Sequence, residues 1–165
     1  MRNRTTQRLA RTALVAAIYA VITFAIAPFA YGSLQFRISE VMVLLAFFDP
    51  FYIGGLTLGC FIANILSPNG MIDAIVGTLA TFISVSAISL TAKYIKNSKI
   101  SLLIASLWPT IFNALMIGWE LNYISGAPLV LTMLEVAFGE FVVVTIIGVP
   151  VFTLIKKRYL KLIRV

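Results

Sequence analysis

Histidine is absent from this 165-residue chain, cysteine occurs once, and only six aspartates and glutamates stand against thirteen lysines and arginines. Those absences exclude histidine-based triads, thiol or imidazole metal centres and a disulfide within the chain. No HExxH and no DxxD pair on one helix occurs, which leaves little for an intramembrane enzyme using paired acids or a carboxylate-bound metal. No GxxxxGK[ST] occurs either, so ATP hydrolysis cannot be assigned to this chain. Charged residues make up 12% of the sequence, too few for the surface of a soluble domain of this size.

What is present is apolar. Hydrophobic residues reach 61% and the mean hydropathy is +1.02, which places the chain in a lipid bilayer. Its length accommodates about six spans of roughly 20 residues and almost nothing else, so a single all-α transmembrane domain over 1–165 is expected. The periodic runs and their breaks predict spans near 9–30, 36–48, 51–66, 71–94, 100–121 and 129–155. The second and third are short and meet at Asp49-Pro50. They read as two compact spans in preference to a re-entrant hairpin, which is tolerated only where protein covers the backbone. Ser67-Pro68-Asn69-Gly70 is the next turn, and Pro109 is expected to kink the fifth span.

The net charge of +7 does not mark a nucleic-acid binder, because the basic residues flank apolar runs and form no RNA-binding signature. Twelve of the thirteen flank three boundaries: the start of the first span, the junction of the fourth and fifth, and the end of the sixth. Six spans put those three boundaries on one side, which the positive-inside rule makes cytoplasmic, with both termini there. The basic start and Ala25-Ile26-Ala27 superficially resemble a secretory signal, but the apolar run is longer than a usual signal core and reads as a retained helix.

Arg37 is the remaining basic residue, three positions before Glu40 at the mouth of an apolar run. Charges kept where lipid makes them costly usually serve function. On the same topology Glu40, Asp73, Glu120 and Glu135 fall in the outer parts of four different helices, with Glu140 nearer the middle. They predict an acidic pocket open to the outside, within which two or three acids are expected to be structural, Asp73 by capping its helix or pairing with Arg37. Glu135 and Glu140 lie about 140° apart round a helix, so Glu135 is assigned to the pocket by depth and Glu140 to a helix-to-helix hydrogen bond. Asn64 and Asn113 supply amides, and Trp108 a stacking platform. Trp119 and Tyr123 read rather as interfacial anchors. In the first span Ala13, Ala16, Ala17 and Ala20 share one face, suited either to docking on another membrane protein or to packing within the bundle.

The near-contiguous pattern YGSLQFRISE, then FFDP, GCFIANILS, Asp73 and GTLAT, resembles the queuosine-precursor transporter family (QueT), substrate-binding S components of energy-coupling factor (ECF) transporters. The resemblance covers most of the chain. It implies a six-helix S component in the cell membrane that captures a 7-deazaguanine such as 7-aminomethyl-7-deazaguanine from outside. It further implies docking of the alanine face on a shared transmembrane scaffold, and two cytoplasmic ATPases that use ATP, with no cofactor in this chain. The chemistry suits such a ligand: carboxylates accept from its adjacent ring N–H and amino donors and from an aminomethyl cation, while Arg37 or an asparagine donates to its carbonyl. An S component for another vitamin-like or nucleobase-like ligand is the nearest alternative. A self-sufficient proton-coupled carrier, with Glu135 and Glu140 relaying protons, is weakened by the lack of an internal repeat.

Overall fold

The computed structural model describes residues 4–32, 34–95 and 98–155. Arg2, Lys96 and the basic tail Lys156 to Arg164, on which part of the topological expectation rests, lie outside that range. Every regular element among the described residues is a helix, and no strand occurs among them. Helix α1 spans Arg4–Ala25 and gives way at Ile26 to a single turn, α2 (Ala27–Ala30). Pro28 accounts for the break, since it lacks a backbone N–H and biases the residue before it away from helical geometry.

A loop then leads to Ile38–Phe47, wound as a 3-10 helix, followed by α3 (Tyr52–Ile65), α4 (Met71–Tyr94), α5 (Ser98–Ser125) and α6 (Leu129–Glu140). Helix α6 continues with wider π-type winding over Phe141–Gly148 and extends to Ile155. Pro109 sits inside α5 without ending it, and nearby Thr145 donates to the Ser106 carbonyl at 3.3 Å. Such cross-helix bonds re-satisfy backbone groups loosened by a proline.

Four helices are long and apolar enough to cross a membrane: Thr5–Ala25, Met71–Tyr94, Lys99–Ser125 and Leu129–Ile155. The 3-10 helix and α3 are shorter, yet both run between the two ends of the bundle. At one end Phe48 stacks on Phe152 with centroids 4.1 Å apart, and the Arg8 guanidinium lies 5.9 Å over the Phe51 ring. At the other, Arg37 reaches Asp73 at the start of α4, and Tyr31 bonds the Ala63 carbonyl near the end of α3. The 3-10 rise of about 2.0 Å per residue stretches ten residues to about 20 Å, where an α-helix covers about 15 Å.

That 3-10 helix is the centre of the bundle. Its sequence ISEVMVLLAF is apolar nearly all round, and it touches α1, α3, α4, α5 and the π segment. Val43, Leu44 and Ala46 are buried there against Tyr19, Leu56, Val85 and Val144. Large apolar side chains such as Leu14, Ile75, Leu103, Leu134 and Ile146 face outward, as a lipid-exposed surface requires.

The alanine face of α1 divides. Ala16 and Ala20 are buried, and α1 closes on α3 where a Cβ on Gly59 would sit 2.9 Å from the Ala16 carbonyl and one on Gly55 3.0 Å from that of Thr12. Ala13 and Ala17 are exposed. Both readings of the stripe are thus met in part: Ala16 and Ala20 pack within the bundle, where α3 offers glycines at the matching spacing, and Ala13 and Ala17 stay on the outer surface.

Candidate ligand-binding site

The loop Tyr31 to Arg37 delivers a cation to the end of the bundle opposite Arg8. Arg37 is only 3% exposed; its Nε donates to the Ala30 carbonyl at 3.1 Å and its Nη2 to Asp73 Oδ1 at 3.3 Å. The guanidinium also lies 5.6 Å over the Tyr31 ring, a cation–π contact. Tyr31 donates to the Ala63 carbonyl at 2.7 Å. Burial pushes its phenol up to about 12, opposed by Arg37 and reinforced by Asp73.

The ion pair is with Asp73, as one reading of Asp73 expects, and not with Glu40. Glu40 instead accepts from the Tyr19 hydroxyl of α1, while the neighbouring Ser39 and Thr23 hydroxyls bond each other at 2.7 Å. The separation of roles follows from geometry. Arg37 is still extended (φ −86°, ψ 90°) when the 3-10 helix begins, so it does not share a helical face with Glu40.

Asn64 of α3 is wholly buried; its amide nitrogen donates to the Asp73 carbonyl at 3.1 Å and to Cys60 Sγ at 3.3 Å. Gly77 makes room for this group, since a Cβ there would collide with the Asn64 amide and stand 3.0 Å from Asp73 Oδ1. Thr81 donates to Cys60 Sγ at 3.1 Å, so the thiol is part of the polar wall between α3 and α4.

Glu120 of α5 and Glu140 of α6 complete the group. Glu120 is buried with both carboxylate oxygens unpartnered, and it lies within electrostatic reach of Asp73 and Arg37. Glu140 is 2% exposed, within electrostatic reach of Glu40 and Arg37, with Asn113 of α5 beside it. Four buried carboxylates from four elements thus surround one arginine, and each keeps at least one buried oxygen without a partner: Glu40 Oε2, Asp73 Oδ2, both of Glu120 and Glu140 Oε2. A buried carboxylate oxygen left without a donor is costly. So many in one place mark an arrangement shaped for something besides stability.

Of the residues nominated from the sequence, Arg37, Glu40, Asn64, Asp73, Asn113 and Glu120 lie buried at this end of the bundle. Glu135 is only half-buried, and with Glu140 turned inward it points about 140° away round the helix. Glu140 takes the buried position that depth assigned to Glu135. Trp108 is not near the group. Its indole donates to Thr91 at 2.8 Å and stacks on Phe112, and Thr91 lies eighteen residues along α4 from Asp73, about 27 Å. Trp119 and Tyr123 stack on each other in the open, the placement an interfacial anchor needs. Tyr19 and Gln35 are additions. Tyr19 lies on the inward side of α1 with Ala16, Ala20 and Thr23, positions three or four apart, and that spacing is the signal the sequence carries for it.

Comparison with known proteins bears on the whole chain. The sequence model of the family described as QueT transporter matches residues 9–157. A curated protein of Lactococcus lactis subsp. cremoris (strain MG1363), "Queuosine precursor transporter QueT", is 33% identical over 151 residues, covering 86% of this chain and 88% of its own. No solved structure matches the chain significantly.

Proposed function

The chain belongs to the QueT transporter family, and is therefore a multi-pass membrane transport protein and not an enzyme; from that premise we propose that it is the substrate-binding S component of an ECF-type importer. Its cargo is a queuosine precursor, a 7-deazaguanine such as 7-aminomethyl-7-deazaguanine, taken up from outside. One observation carries this reading: four buried carboxylates with unpartnered oxygens surround Arg37. They supply the acceptors that the ring N–H, amino and aminomethyl donors of such a base require.

In this reading all six helical passes span the bilayer, the 3-10 helix and α3 as the two short ones. Arg8 and Lys93 lie at the Phe51 end of the bundle and the acid group at the other, a polarity that supports a cytoplasmic basic end and an outward site. Both termini are then cytoplasmic. The site residues expose 3% or less, so the arrangement is a closed one that has to open for the ligand to enter.

The exposed half of the alanine stripe, Ala13 and Ala17, is the docking surface for a transmembrane scaffold, and two cytoplasmic ATPases on that scaffold use ATP to drive release. Mass spectrometry of small molecules copurifying with the chain, followed by calorimetric titration, tests the ligand class. Recovery of a 7-deazaguanine is expected. Proton-driven accumulation by the chain alone in proteoliposomes would instead make it a self-sufficient carrier.

A further inference from the structure

Gln35 is the one residue other than glycine, among the described residues, whose backbone takes a positive φ, +48°. Left-handed geometry crowds Cβ against the backbone, and glycine or asparagine tolerates it better than glutamine. Three backbone bonds hold the loop there: Gln35 N to Gly32 O at 3.1 Å, Phe36 N to Phe29 O at 3.0 Å and Arg37 N to Gln35 O at 2.7 Å. The loop rests on α6 at Gly139, where a Cβ would collide with the Leu34 carbonyl oxygen and lie 3.4 Å from the carbonyl carbon of Gln35.

The side chain held this way is 2% exposed, and its Oε1 is buried with no partner. Gln35 therefore combines an unfavourable backbone conformation with an unsatisfied buried amide oxygen, and a loop built only for stability would avoid both with glycine. Strain of this kind persists where surrounding structure enforces it, and it concentrates at functional sites. Gln35 also sits against the turn of α6 that carries Glu140, two residues before Arg37.

Several donors near the acids already serve the protein itself: Arg37 Nε bonds Ala30, Arg37 Nη2 bonds Asp73, and the Asn64 amide nitrogen bonds Asp73 and Cys60. Ionised carboxylates only accept hydrogen bonds, whereas a carboxamide presents an acceptor and a donor side by side. We propose that Gln35 is a ligand-contacting residue that reads the N–H and C=O edge of a planar, nucleobase-like ligand, completing a site the acids cannot complete alone. This rests on the ligand class proposed above.

The test titrates 7-aminomethyl-7-deazaguanine into the purified full chain by calorimetry, and follows thermal unfolding without ligand, for wild type, Gln35→Gly and Gln35→Asn. Glycine takes φ +48° without penalty and asparagine is the next most tolerant, so both retain the loop while removing or shortening the amide. Both variants are expected to unfold at or above the wild-type temperature yet bind at least about tenfold more weakly. Wild-type affinity in Gln35→Gly overturns the contact, as does a loss of affinity that tracks a loss of stability in both variants. Absence of binding by the wild-type chain overturns the ligand class and the contact with it; wild-type binding with unaffected variants overturns the contact alone.

Discussion

The Tyr19 hydroxyl donates to Glu40 Oε1, joining the inner face of α1 to the first turn of the 3-10 helix. Tyr19 packs on Gly59 of α3 on one side and lines the core with Val43 and Leu44 on another. Removing its hydroxyl strands a buried acceptor beside an already unpartnered Oε2. Tyr19→Phe should therefore lower stability by about 1–3 kcal/mol. Adding Glu40→Gln to it should cost less than the sum of the single changes, because both act on one bond. Thermal unfolding of the purified variants checks this; strict additivity would deny the coupling.

Arg37 carries the electrostatics of the whole group, and its own partners are fixed at Ala30 and Asp73. Arg37→Gln leaves Asp73, Glu40, Glu120 and Glu140 with no cation among them, a change expected to cost about 3–5 kcal/mol or prevent folding. Pairing it with Asp73→Asn should recover part of that loss. Arg37→Lys should rescue poorly, since an ammonium cannot serve the carbonyl, the carboxylate and the Tyr31 face together. The yield of monodisperse protein and its unfolding temperature report the ranking.

On α1, the division of the alanines separates two substitutions that sequence alone treats as equivalent. Ala16→Trp drives an indole into the backbone of α3 at Gly59 and should abolish folding. Ala17→Trp adds the same bulk on the exposed side and should leave ligand binding by the isolated chain intact while reducing uptake by the assembled transporter at least about tenfold. Binding and uptake lost together in Ala17→Trp would return that residue to the bundle interior.

Membrane class and helix positions were legible because hydropathy and turn residues act locally: Pro50, Pro68 and Gly70 mark the breaks, and α4 begins and ends as its sequence predicts. The 3-10 winding was not, since ISEVMVLLAF carries no periodic signal and its geometry is imposed by five surrounding elements. Arg37, Glu40, Asp73 and Glu120 could be nominated because a charge in an apolar chain has few places to go. Their pairing was open: Asp73 could cap its helix or pair with Arg37, and the structure takes the second. Arg37 and Glu40 stand three positions apart, and the extended backbone at Arg37 sends the guanidinium to Asp73 instead. The misplacement of Trp108 has the same origin: residue type suggested stacking, but its position along α5 fixes the end of the bundle it occupies.

Glu120 offers the sharpest separation of stability from function. Its carboxylate is buried without a partner for either oxygen and has Asp73 nearby, so in the empty protein it opposes folding except for its attraction to Arg37. Glu120→Gln keeps the shape and removes the charge, and should raise stability by about 1 kcal/mol, the usual direction when a strained functional group is neutralised. The same change replaces one acceptor with a donor facing the donors of an amine-bearing base. Affinity should then fall about tenfold or more, equivalent to about 1.4 kcal/mol. Unfolding temperature and calorimetric affinity, measured on the same preparation, should move in opposite directions. If both fall together, Glu120 holds the bundle through contacts its carboxylate makes within the protein; if affinity is unchanged, its oxygens do not face the ligand.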